Sequence, residues 1–161
     1  MMFVSFVESI KYVGHLFPIA FLRVYLGYYY LNMALEKIQG DFLILPRLAA
    51  SISEWNPKSH SPDWYKSFVD FYVIPNWQFF AYAITSIEFA IGISFIIGYL
   101  VRPIAFLGVI LCMNMVLLSG PAHEDLQKAL LAVHLTMAWL GAGRCLGIDY
   151  FFYKRKRGLW W

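Results

Sequence analysis

Few side chains in this sequence can do chemistry, and three of them stand alone inside long apolar stretches: Glu88, Asn114 and His134. Glu88 is the single acidic residue of WQFFAYAITSIEFAIGISFIIGYLVR, residues 77–102. The rest of that stretch up to Val101 is uncharged, enough as a helix to cross about 30 Å of hydrocarbon. A carboxylate at such depth costs roughly 2.5–3.5 kcal/mol on insertion scales, so it is expected to face the inside of a bundle and to have a partner. At about 1.5 Å of rise per residue, Glu88 lies fourteen residues, or roughly 20 Å, from Arg102. Asn114 lies eleven residues from Pro103, roughly 17 Å, and His134 eight from Leu126, about 12 Å from the opposite side. All three fall near one level. Lipid offers no water to satisfy them, and the expectation is a midplane cluster of Glu88, Asn114 and His134.

Two readings of that cluster stand open. In one, the polar groups lock helices together. In the other, they form a proton-coupled pocket for an apolar redox molecule such as a quinone, because a carboxyl beside an imidazole can pass a proton. Glu88, His134 and Arg23 would then carry the proton chemistry, and Asn114, Tyr30 and Arg102 would contact the quinone. Arg23, Gly27, Tyr30, Ala34 and Lys37 share a face by helical spacing, as do Glu88, Gly92, Phe95, Tyr99 and Arg102. Arg23 belongs nearer the cytoplasmic end than Glu88. Helical side chains lean toward their own N-termini, which draws those two apart in an antiparallel pair.

The elements that must position these residues follow from composition. The 161 residues are 60% hydrophobic and 14% charged, too apolar for a soluble globule. Abundant Trp and Tyr suit interfacial belts. An all-α polytopic membrane protein is expected: one domain, with four spans over about 16–36, 77–101, 103–119 and 126–143. Residues 1–14 are read as lying along the cytoplasmic surface, residues 38–76 as a long extracytoplasmic loop with one or two short helices, and AHEDLQK as a polar turn before the fourth span. Within the loop, Trp64, Phe68, Phe71 and Tyr72 recur at spacings that suit one helical face, predicting a short helix that caps the bundle opening. Glycines at 27, 92, 98, 108, 141 and 143 are read as close-packing positions.

The net charge of +3 is unevenly placed. Its only basic run, Lys154 to Arg157, directly follows a membrane stretch. That placement argues for a helix end held against anionic lipid and against nucleic-acid binding. Lys11, Arg102, Arg144 and that run outnumber Glu8 and Asp149, so both termini are expected in the cytoplasm. No signal peptide is read at the N-terminus, because Glu8 and Lys11 interrupt the first apolar run. Cys112 and Cys145 are not expected to form a disulfide, and no CxxC or Cys/His spacing calls for a metal. His123, Glu124 and Asp125 are too tightly adjacent for good ligand geometry and read as a solvated turn.

FLRVYLGYYYLNMALEKI, IEFAIGISFIIGYLVRPIAFLGVILCMNM and WLGAGRCLGIDYF together resemble the DoxX/DoxD family of small four-helix membrane proteins. The matching positions are Arg23, Gly27, Lys37, Glu88, Gly92, Gly98, Arg102, Asn114, Gly141, Gly143, Arg144, Gly147 and Asp149. The long loop with WYKSFVDFYVIPN looks more like the DoxD branch. That resemblance implies the membrane subunit of a thiosulfate:quinone oxidoreductase, working with a DoxA-like subunit on the outer side, in a bacterial or archaeal cytoplasmic membrane. A non-catalytic accessory subunit, packed against a larger respiratory or photosynthetic complex, is the alternative. Membrane lipid, quinone and other protein subunits are the expected partners.

Overall fold

Each long apolar stretch becomes a long helix in the computed structural model, which describes residues 17–119 and 121–155. The chain runs through α1 (Phe17–Gln39), α2 (Arg47–Trp55), α3 (Asp63–Phe68), α4 (Trp77–Ile97), α5 (Val101–Leu118), α6 (Pro121–Leu140) and α7 (Asp149–Arg155). No strand occurs among the described residues. Of these helices, α4 and α5 are long and apolar enough to cross a membrane. The surface segment expected over residues 1–14, with Glu8 and Lys11, lies outside the described residues, as do Lys156 and Arg157 of the basic run.

The expected polar turn at AHEDLQK is instead the opening of α6. Glu124 stands in its first turn, where the helix dipole favours an acid. It also accepts a hydrogen bond from Lys128 at 2.7 Å, one turn further on. These local terms favour helix over turn.

Close contact is made possible by small residues. α1 packs antiparallel on α4, α5 packs on α6, and α4 meets α5. A Cβ added to Gly27 would come within 2.9 Å of the Phe95 Cβ, and one on Gly92 within 2.9 Å of the Leu31 Cα. Ala20, Ala34, Ala81 and Ala105 are fully buried alongside. Small residues at helix contacts are what association in lipid requires, since no hydrophobic driving force acts between helices there. Leu26, Tyr30, Ile91, Phe95, Leu111 and Met137 form the bundle core.

Between α1 and α4, residues 40–76 fold onto the bundle end. Leu48 and Ile52 of α2 join Tyr65, Val69 and Val73 in a second core against Ala81 and Leu118. Here the predicted face is wrong. Trp64, Phe68, Phe71 and Tyr72 point outward, with 76% of Phe71 exposed, while Tyr65, Val69 and Val73 face in. The buried stripe runs at steps of four through a π-helical turn at Val69–Val73, and compact valines fit against Ala81. The bulky aromatics are left exposed on the outer face.

A left-handed Gly98 (φ 73) ends α4, a conformation that costs glycine nothing. The next helix is capped from afar: Asp149 accepts hydrogen bonds from the Leu100 and Val101 N–H groups at 2.7 and 3.1 Å.

Candidate functional site

The α1–α4 register fixes the site. Leu31 lies opposite Gly92, so Lys37, further along α1, comes level with the turn of α4 that carries Glu88. Each side chain leans toward the N-terminus of its own helix, and in an antiparallel pair these two lean toward each other. Lys37 Nζ donates to both carboxylate oxygens of Glu88, at 2.5 and 2.6 Å. The Glu88 side chain is 4% exposed and that of Lys37 20%. The Lys37 ammonium also lies 5.3 Å from the Phe42 ring centroid, a cation–π contact.

This pair stands in the wall of a cavity of about 420 Å³, inside the range of roughly 300–1,000 Å³ usual for small-molecule sites. Its inner end is formed by Tyr30, Glu88, Leu111 and Cys112, and Leu48, Ser51 and Trp55 of α2 form its roof. The ring centroids of Trp55 and His123 lie 6.1 Å apart, and His60 Nδ1 lies 3.6 Å from a Glu124 oxygen. Both contacts tie the loop to α6. The partly exposed lining residues Tyr29, Met33, Leu126 and Leu130 lie on α1 and α6, whose backbones meet little. The chamber walls are mostly apolar, with Ser51, Ser119, His123 and Gln127 as the further polar lining and the ion pair as its charged point.

The midplane cluster of Glu88, Asn114 and His134 does not form. Glu88 takes Lys37 as partner. Asn114 lies on the exposed side of α5, where its Oδ1 accepts from the Tyr65 hydroxyl at 3.1 Å and its Nδ2 donates to Ile110 O at 2.8 Å. A near-common depth did not give a common face. Burial pushes the Tyr65 hydroxyl pKa up, which keeps it a donor. His134 is fully buried, with Nδ1 2.8 Å from Leu130 O. Its ring stands edge-on to Tyr30 at 5.3 Å and 5.7 Å from Phe95. The ring fits there because Gly108 has no Cβ; one would lie 2.5 Å from Nε2. His134 therefore backs the chamber behind Tyr30 and Cys112 without lining it.

Arg23 and Arg102 lie at the other end of the bundle, away from the chamber. The guanidinium of Arg23, fully buried, donates to the carbonyls of Ala142, Cys145 and Leu146 at 2.8, 3.2 and 3.0 Å. With Asp149 it pins the segment after α6 onto the α4–α5 turn. Burial pushes the Asp149 carboxyl pKa up, opposed by its two backbone donors and by Arg23. Arg102 donates to Trp139 O at 3.3 Å.

Of the expected site residues, the structure brings only Glu88 and Tyr30 to the chamber. Lys37, Cys112, Ser51 and Trp55 join them unforeseen. Lys37 had a readable signal, because the lean that parts Arg23 from Glu88 brings Lys37 toward it. Cys112 and Cys145 are both free and buried. Cys112 Sγ lies 3.5 Å from the Tyr30 hydroxyl and 3.8 Å from His134 Nδ1.

An ion-paired chamber within a bundle of apolar helices defines a small helical membrane protein with a ligand-sized internal site. Its lineage is shown by a match of the DoxX family profile to residues 19–120. The chain belongs to the DoxX family. No characterised protein and no solved structure matched it.

Proposed function

We propose that this protein is the integral membrane subunit of a quinone-linked oxidoreductase, and that the chamber beside Lys37 and Glu88 receives the quinone ring. One observation carries the reading: a mostly apolar cavity of about 420 Å³ has a bidentate ammonium–carboxylate pair in its wall. The residues present fit such a ring. Apolar side chains suit its faces, and the Lys37 N–H and Tyr30 O–H groups can donate to carbonyl oxygens.

A quinone bound there accepts two electrons and two protons. Lys37 orients a carbonyl oxygen and holds a proton toward it. Glu88 fixes the Lys37 ammonium and offsets its charge in a setting where an unpaired ion is costly. Tyr30, held by the His134 ring, presents its hydroxyl to the chamber. Leu48 and Trp55 of α2 keep water from the roof. The side between α1 and α6 leaves room for an apolar tail.

In this reading α1, α4, α5 and α6 are four spans of a bacterial or archaeal cytoplasmic membrane, with residues 40–76 outside and both termini inside. The grouping of Arg102, Arg144, Lys154 and Arg155 at one end supports that orientation. The electron donor comes through a partner chain, and thiosulfate is the first to try, given the DoxD resemblance. The test is purification from native membrane, identification of co-purifying chains, and quinone reduction by the recovered complex with wild type and with Lys37→Met/Glu88→Leu, which removes both charges together. Normal assembly with turnover reduced at least a hundredfold is expected. Unchanged turnover would overturn the reading and favour an accessory subunit.

A further inference from the structure

A second, smaller cavity of about 220 Å³ lies on the loop side of the chamber, lined by Glu36, Gly40, Asp41 and Arg47 together with Met33, Lys37 and Phe42. The last three also line the chamber. One lysine thus stands in the partition between an apolar space and a charged one. Glu36, Asp41 and Arg47 are exposed, and Arg47 donates to Asp41 at 3.0 Å, so the smaller cavity is a vestibule continuous with water. On the far side of the pair the bundle is closed. Tyr30, Ala34, Ile91 and Phe95 are 0–3% exposed, and the Gly27–Gly92 contact leaves no space for water.

We propose that Lys37 is a one-sided proton gate: protons reach the Lys37–Glu88 pair only from the water on the side of the membrane that carries residues 40–76, through this vestibule. The inference rests on the pair's role proposed above and adds the source and direction of its protons. The step balances simply. The pair, as ammonium and carboxylate, gives one proton to an acceptor in the chamber and becomes amine and carboxylate. A proton from vestibule water restores the ammonium, so one proton passes from loop-side water to the chamber and no other bond changes. The charged and titratable groups that face the pair are Glu36, Tyr29 and Tyr30 from α1, Asp41 from the loop, Arg47 from α2 and Cys112 from α5; His123 of α6 lies across the chamber. Only Glu36, Asp41 and Arg47 stand on the vestibule side, where hydrated carboxylates can pass protons inward.

The route is testable without any quinone. In a Cys112→Ala/Cys145→Ala background, Lys37→Cys/Glu88→Gln removes both charges together. The variant is placed in sealed vesicles and exposed to a membrane-impermeant, charged thiol reagent on either side. Modification from the loop side is expected at least tenfold faster than from the other, and at least tenfold slower once Asp41→Trp fills the vestibule. Equal rates, modification from the opposite side, or no effect of Asp41→Trp would overturn the proposal. Wild-type Lys37, read by acylation with an impermeant amine reagent and peptide mass spectrometry, gives the same contrast should the cysteine variant not fold; absence of loop-side acylation would count against the route. Unchanged quinone turnover in the pair variant, with intact one-sided labelling, would fault the proposed function and leave the route standing.

Discussion

Lys37 and Glu88, fifty-one positions apart, meet as a bidentate ion pair at 2.5 and 2.6 Å inside an apolar bundle. Breaking such a pair from one side strands a buried charge, which costs about 3–5 kcal/mol, whereas removing both partners together is often close to neutral. Lys37→Met alone should therefore lower the thermal midpoint of the purified protein strongly, and Lys37→Met/Glu88→Leu should recover most of the loss. Equal midpoints for the single and double variants would show that the pair is not coupled.

The Arg23 guanidinium reads as a structural clamp on the segment after α6. Arg23→Gln keeps a donor but not the planar fork that reaches three carbonyls. Hydrogen exchange should rise over residues 142–149 while the α1–α4 contact near Gly92 stays protected. Unchanged protection at 142–149 would remove Arg23 from that role.

Helix approach at Gly108 is set by the His134 ring. Gly108→Ala would put a methyl group 2.5 Å from Nε2, and overpacking of this kind costs about 1–3 kcal/mol. The expected signature is a lower thermal midpoint for Gly108→Ala, partly restored by Gly108→Ala/His134→Ala, which opens the space again. A fully stable single variant would mean that the ring is free to move aside.

Tyr65 covers Asn114 with one hydrogen bond, worth about 1 kcal/mol. Tyr65→Phe should raise amide exchange in α3 without altering ligand binding in the chamber, because neither residue lines it. Loss of binding in that variant would tie α3 to the site.

How much of this was legible is plain at individual positions. The apolar stretches around Glu88 and Cys112 announce α4 and α5 by length and lack of charge, and Gly27 and Gly92 announce where helices approach. The isolation of Glu88 announces that it needs a partner. Which partner depends on helix register, and register came from Leu31 meeting Gly92 across some sixty residues, which no local spacing encodes. Depth along a helix placed Asn114 at the right height on the wrong face, because rise per residue carries no information about rotation. The outward Trp64 and Phe71 were missed for a similar reason. A π-helical turn shifts the face, and in a membrane an exposed aromatic is no anomaly. Arg23 was legible as unusual, but its carbonyl partners lie more than a hundred residues away.

We propose that the Lys37–Glu88 chamber holds a quinone ring. The most direct test is equilibrium binding of a short-chain quinone to the purified protein in lipid nanodiscs, comparing wild type with Ser51→Trp, which fills the chamber from α2 without touching the bundle core. Wild type is expected to bind saturably at one site, and Ser51→Trp to lose at least tenfold in affinity while melting at the same temperature. Undetectable binding to wild type, or equal affinity for the filled variant, would contradict it.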